Sequence, residues 1–169
     1  SADIYDNLSE SSLEAIDWTQ VDYKKAIKSD SFSLDHVDWD EVNNASSSKD
    51  KSNIYKAINW GTEPISSEVA GELDFSLVNF KQFNPANLNN INDLNFSTLG
   101  KNYKSLDWSA DIYDNLSESS IEAIDWTQVD YKKAIKSDSF SLDHVDWDEV
   151  NNATSSKDKS NVYKAINWG

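Results

Sequence analysis

Residues 13–21 read LEAIDWTQV and residues 34–42 read LDHVDWDEV. Both place an apolar residue, an Asp and a Trp in a row, with a second apolar residue three positions earlier and a Val three positions after the ring. The core of the pattern recurs as Ile16-Asp17-Trp18, Val37-Asp38-Trp39, Ile58-Asn59-Trp60, Leu73-Asp74-Phe75, Leu94-Asn95-Phe96 and Leu106-Asp107-Trp108, and again from Ile124, Val145 and Ile166. The rings follow one another with a period of about 20, so the chain is organised in repeating cells.

Two readings of this cell compete. A period near 20 with the form L-x-x-I-x-W-x-x-V suits a β-solenoid of the leucine-rich-repeat kind, in which each motif is a short strand. The helical reading makes Asp17 an N-cap, with Trp18 at the first helical position. Gln20 then completes a capping box, and Ile16 meets Val21 as a hydrophobic staple. Asp38, Glu41, Val37 and Val42 repeat those roles, as do Asn95, Leu94 and Leu99. A strand has no use for a polar cap at a fixed offset, and four Gly and two Pro are too few to punctuate many tight β turns. Ser, Asp and Asn are abundant throughout, a composition rich in capping and turn formers.

The predicted fold is therefore an all-α, solenoid-like array of short capped helices. They are expected over Ser9–Ile16, Trp18–Lys28, Leu34–Val37, Trp39–Ala45, Ser52–Ile58, Glu68–Glu72, Phe75–Phe83, Pro85–Ile91, Phe96–Tyr103 and Trp108–Leu116, with equivalents from Ser117 onward. Helices this short are marginal alone, so packed aromatic faces must hold them, and each buried indole N–H needs an acceptor. Gly61 and Pro64 predict a corner. Polar Asp111, standing where an apolar residue belongs, predicts a second, and 62–72 reads as the loosest link.

A longer period encloses the short one. Residues 109–169 repeat residues 1–61 with three changes, Leu13 to Ile121, Ser46 to Thr154 and Ile54 to Val162. Residues 62–108 lie between the copies and complete a 108-residue unit. Leu106-Asp107-Trp108 precedes Ser109 but nothing precedes Ser1, which predicts a parent protein with more copies. Near-identical duplication suits reach, avidity and a repetitive surface better than it suits an active site.

The 169 residues carry 30 acidic side chains against 15 lysines and no arginine, a net charge of −15. The charge divides as −6, −3 and −6 over 1–61, 62–108 and 109–169, so the acidity belongs to the repeat. Such a field excludes phosphate-backbone recognition and repels anionic membrane surfaces. No segment approaches the roughly 18 apolar residues of a membrane span. Without Cys there are no disulfides, thiolate metal sites or cysteine nucleophiles. Seven Trp, seven Tyr and six Phe supply too much apolar surface for a disordered chain.

The densest acidic cluster is Asp35, Asp38, Asp40 and Glu41 around His36, repeated as Asp143, Asp146, Asp148 and Glu149 around His144. Clustered carboxylates suit Ca²⁺, and the field of the chain concentrates cations. The same residues also serve as a cap and as acidic complements to a helix N-terminus, and the run lacks the glycine and bidentate Glu spacing of an EF-hand loop. One His per unit cannot form a zinc pair. A Ser33–His36–Asp arrangement can be drawn, but no G-x-S-x-G elbow accompanies it, so no catalysis is expected. The aromatic series is either core or a stacking platform for sugars and other small ligands, and its constant place beside a cap favours core.

Duplication, acidity, Ser/Asp/Asn richness and the absence of Cys give the chain a resemblance to segments of the very large, tandem-repeat, secreted or cell-surface proteins of bacteria. That resemblance implies a structural or interaction module outside the cell, with neighbouring copies, a protein or a glycan as partners. The alternative is a carbohydrate, small-ligand or Ca²⁺ binding module that uses the aromatic rows or the acidic cluster.

Overall fold

The computed structural model describes residues 4–45, 47–153, 155–166 and 168. Ser46, Thr154 and Asn167, which belong to the copy differences and to the last motif, lie outside the described residues. The described chain is helical and has no strand, and its one sheet-like pairing is an isolated parallel bridge between Ile65 and Leu88. The all-α expectation holds. The strand-lined leucine-rich-repeat alternative does not, because the apolar-Asp-Trp motifs open turns and helices. Among the described residues no helix is long and apolar enough to cross a membrane.

The side chains just after the aromatic ring decide whether a motif opens a helix or a turn. Where Asp and Glu come next, Asp38 caps the helix Trp39–Asn43 by accepting the Glu41 N–H at 2.9 Å. Asp146 does the same for Trp147–Asn151. Where Ser or Thr comes next, its hydroxyl competes for the carboxylate that precedes the ring. Asp17 Oδ1 accepts both the N–H and the hydroxyl of Thr19, at 3.0 and 2.5 Å, which closes a local turn. Asp74 with Ser76, Asp107 with Ser109 and Asp125 with Thr127 form the same turn.

This competition corrects several expected helices. Asp17 does not cap Trp18–Lys28; only Tyr23–Ala26 is helical there, and Gln20 donates to Thr19 Oγ1 at 3.4 Å instead of reaching back. Residues 75–83 form turns. Trp108–Leu116 reduces to the 3-10 turn Tyr113–Asn115, and Pro85–Ile91 to Pro85–Asn87 followed by a separate Ile91–Asp93. Phe96–Tyr103 divides into Phe96–Thr98 and Gly100–Lys104 beside Gly100, whose φ of 54° suits glycine. Asn95 makes no backbone cap and accepts the Ser97 hydroxyl at 2.6 Å.

The remaining helices form near their expected places: Glu10–Glu14, Leu34–His36, Ser67–Glu72 and the longer Ser48–Ala57, which starts early because Ser47 caps it. The second copy carries Glu118–Glu122, Tyr131–Ala134, Leu142–His144 and Ser156–Ala165 in the corresponding positions.

Short helices and turns leave many backbone carbonyls free, and the aromatic side chains use them. The indole N–H of Trp39, Trp60 and Trp108 donates to the carbonyl five positions earlier, on Leu34, Tyr55 and Tyr103, at 3.0, 2.8 and 2.6 Å. Tyr23, Tyr113 and Tyr131 likewise donate to the carbonyls of Trp18, Trp108 and Trp126 at 2.7–2.8 Å. A buried ring thereby satisfies its polar atom and its own loop at once. Trp126 differs, since its buried indole nitrogen has no partner among the described residues. One core includes Trp18, Trp39, Trp60, Trp108 and Trp126, so these rings of the aromatic rows pack inside.

Successive segments are joined by polar links between side chains and backbone groups far apart in the sequence. Glu41 accepts the Trp18 N–H and Glu149 the Trp126 N–H, both at 2.9 Å. Tyr103 accepts the Asp125 N–H at 2.9 Å, and Lys51 pairs with Asp74 at 2.9 Å. Buried Asn102 donates to the Phe75 carbonyl at 2.8 Å. The stretch 62–72 is no loose link: Ile65, Val69 and Ala70 are buried, and Ile65 pairs with Leu88. At the expected corner, a Cβ on Gly61 would stand 2.9 Å from the Gln82 carbonyl, so a close backbone approach requires the glycine. Asp111 reaches out to the Ser137 hydroxyl and the Asp138 N–H, both at 2.8 Å.

Candidate functional site

The acidic cluster is built from separate structural tasks. Asp35 accepts the hydroxyls of Ser33 and Ser66. Asp38 caps its helix, Asp40 lies in the first turn, and Glu41 reaches Trp18. In the second copy Asp146 caps, Asp148 lies in the first turn, and Glu149 reaches Trp126. The Asp143 backbone N–H donates to Ser141 Oγ at 3.2 Å. Burial is the first cause that raises the Glu149 carboxyl above the usual range.

Between the first copy and the segment after it, Glu68 and Glu72 join Asp35 and Asp38 around a small groove with Val37, Trp39 and Val69. Burial, followed by Asp40, Glu68 and Asp38, raises the Glu72 carboxyl. Among the described residues no three His, Cys, Asp or Glu side chains are arranged to hold a metal ion.

His36 is a capping residue. Its Nδ1 accepts the Ser33 N–H at 3.1 Å and its ring stacks on Tyr5 with centroids 5.8 Å apart; His144 does the same with Ser141 and Tyr113. The Ser33 hydroxyl donates to Asp35 at 3.1 Å, so the imidazole holds a backbone amide and not the hydroxyl. This is not the base-to-nucleophile hydrogen bond that an activated serine requires. An open groove of about 540 Å³, lined by Asn84, Asn89, Asn90, Asp111 and Asn115 with Leu88 and Ile91, carries one carboxylate, already accepting from Ser137 and Asp138.

The feature that sequence inspection misses is an aromatic surface made by context alone. Trp60 is fully buried, whereas its duplicate Trp168 is 58% exposed; Tyr55 is buried and its duplicate Tyr163 is 37% exposed. Trp147 and Leu142 are half-buried where Trp39 and Leu34 are buried. The local geometry is nevertheless kept. Trp147 and Trp168 donate to the Leu142 and Tyr163 carbonyls at 3.1 and 2.8 Å, and Tyr163 donates to Asn151 Oδ1 at 3.0 Å as Tyr55 does to Asn43 at 2.9 Å.

The first copy is covered by the segment directly after it. Asn43 donates to the Glu72 carbonyl at 2.7 Å, Tyr55 accepts the Asp74 N–H at 2.9 Å, and the helix Ser67–Glu72 packs on Leu34–His36 and Trp39–Asn43. At the other end the roles reverse: Ile4 is 49% exposed, and Ile112 is 7% exposed in the second copy, where Leu88 and Ile91 stand near Ile112 and Asn92 binds Asn115 and Ser117. No signal inside either copy distinguishes these surfaces, since the residues are the same. No protein-family model, curated protein or solved structure matches the chain, so its geometry alone carries the functional reading.

Proposed function

We propose that the chain is a structural and interaction repeat module, built to stack with neighbouring 108-residue units in a solenoid-like array and to work without chemistry of its own. The supporting observation is how 62–108 interlocks with both copies: the helix Ser67–Glu72 packs on Leu34–His36 and Trp39–Asn43 of the first, and Asn92 binds Asn115 and Ser117 of the second. Links across the cells, such as Trp18 to Glu41 and Tyr103 to Asp125, are the nearest-neighbour contacts such an array propagates. A location at the cell surface or outside the cell fits the acidity of the unit, which would keep a long array hydrated and make its dimensions respond to salt.

The test is a series of chains with one to four complete 108-residue units, followed by small-angle scattering and thermal unfolding. The array reading expects the longest dimension to grow linearly with unit number and thermal stability to rise toward a plateau. Growth as a compact globule, with dimensions following the cube root of mass, would reject it.

A further inference from the structure

We propose that the aromatic face formed by Leu142, Trp147, Tyr163 and Trp168 is a docking site for a polypeptide segment with the residue pattern of 62–83. The inference rests on the repeat-module reading and names what one exposed face of that module takes.

The first copy supplies the template, because the same face is occupied there. Leu34, Trp39, Tyr55 and Trp60 are buried, and the segment that begins directly after Gly61 packs its helix Ser67–Glu72 on Leu34–His36 and Trp39–Asn43, with Val69 beside Val37 and Trp39. The contacts are specific as well as apolar. Asn43 Nδ2 donates to the Glu72 carbonyl, the Tyr55 hydroxyl accepts the Asp74 N–H, and Lys51 Nζ pairs with the Asp74 carboxylate. The second copy carries Asn151, Tyr163 and Lys159 at the duplicate positions. Tyr163 is already oriented by Asn151, and its ring is stacked on Trp168 with centroids 5.6 Å apart, against 5.7 Å for Tyr55 and Trp60. The face is thus arranged before its occupant arrives, which lowers the ordering cost of docking.

The occupant follows from what the face lacks. It must offer a backbone N–H to the Tyr163 hydroxyl, a carbonyl to Asn151, a carboxylate to Lys159 and small apolar side chains to Trp147. The pattern Val69-Ala70-Gly71-Glu72-Leu73-Asp74 meets all four needs in one run.

The experiment appends residues 62–83 after Gly169, reproducing the Gly61-Thr62 junction, and compares that chain with the original and with one carrying a scrambled extension. Tethering raises the local concentration of the segment to the millimolar range. Docking predicts a blue shift of Trp emission that disappears in the Trp168→Phe background, together with amide protection at the appended equivalent of Asp74. Replacing that appended Asp by Lys should weaken docking by about threefold, and Lys159→Asp should restore it. An unshifted emission, an equal shift from the scrambled extension, or an unextended chain that self-associates with Trp168 already shielded would overturn the proposal. If docking fails while the one-to-four-unit series still lengthens linearly, the choice of occupant is wrong and the array reading stands.

Discussion

The two copies of the duplicated sequence amount to one sequence placed in two surroundings. In the first, Leu34, Trp39, Tyr55 and Trp60 are buried where the segment after them packs, while Ile4 is exposed and Tyr5 half-buried. In the second, Ile112 and Tyr113 are covered by the segment before them, while Trp147, Tyr163 and Trp168 remain at the surface. Helix bounds recur in step between the copies, and Asp38 and Asp146 accept at an identical 2.9 Å; the caps differ at Asp130, which accepts the Lys133 N–H where Asp22 makes no side-chain cap. Local turn chemistry is thus largely insensitive to the neighbour, as is the burial of pairs such as Trp18 and Trp126, Tyr23 and Tyr131 or Val42 and Val150, whereas the neighbour decides the burial of Tyr55 and Tyr163 and of Trp60 and Trp168.

The largest contrast should come from truncating the paired indoles. Trp60→Ala removes a fully buried ring and should cost about 3–5 kcal/mol, whereas Trp168→Ala should cost less than about 1 kcal/mol, as read by denaturant unfolding. Equal losses would show that exposure does not separate the copies.

The phenols come next. Tyr55→Phe strips the acceptor from the Asp74 N–H as well as the donor to Asn43, and should destabilise by about 1–3 kcal/mol. Tyr163→Phe loses only the Asn151 bond and should cost about 1 kcal/mol or less. Buried tyrosines also predict the alkaline limit. Burial pushes the Tyr55 and Tyr103 phenols from the ordinary 10.0 up to about 12, and it raises Tyr23, Tyr113 and Tyr131 as well. Because the folded values lie above the unfolded ones, this stability is complete below pH 10.0 and is lost as pH rises toward about 12. In a chain carrying Tyr5→Phe and Tyr163→Phe, so that only the buried phenols report, tyrosinate absorbance should therefore appear together with loss of helical circular dichroism, and its appearance while that chain is still folded would contradict the burial.

A smaller effect tests the invariant half of the comparison. Asp38→Ala and Asp146→Ala should each cost about 1 kcal/mol, and by the same amount, because each cap is made inside its own helix. The smallest difference concerns lysines. Lys51→Ala should lose about 1 kcal/mol or less, the worth of its partly exposed pair with Asp74, and that loss should shrink with added salt.

Much of this architecture is legible in the side chains, within limits set by chemistry. The DWDE motif announces its helix because nothing next to Asp38 competes for the carboxylate, and it reaches the Glu41 N–H. The DWT and DWS motifs look alike to an eye searching for caps, yet the hydroxyl of Thr19, Thr127 or Ser109 closes the carboxylate onto a turn and the helix does not propagate. Glu41 shows the opposite limit. It stands at the capping-box position, but it spends its carboxylate on Trp18, 23 residues away, a partner that no local pattern specifies.

The all-helical character, the duplicated unit, the turn or cap at each apolar-Asp-Trp motif and the acidity of every copy are written in the order of the side chains. These follow from contacts within a few positions, where spacing along the chain is spacing in space. Which rings are core and which are surface is a matter of tertiary packing alone. Burial is set by segments distant in the sequence, so identical side chains such as Trp60 and Trp168 acquire different roles.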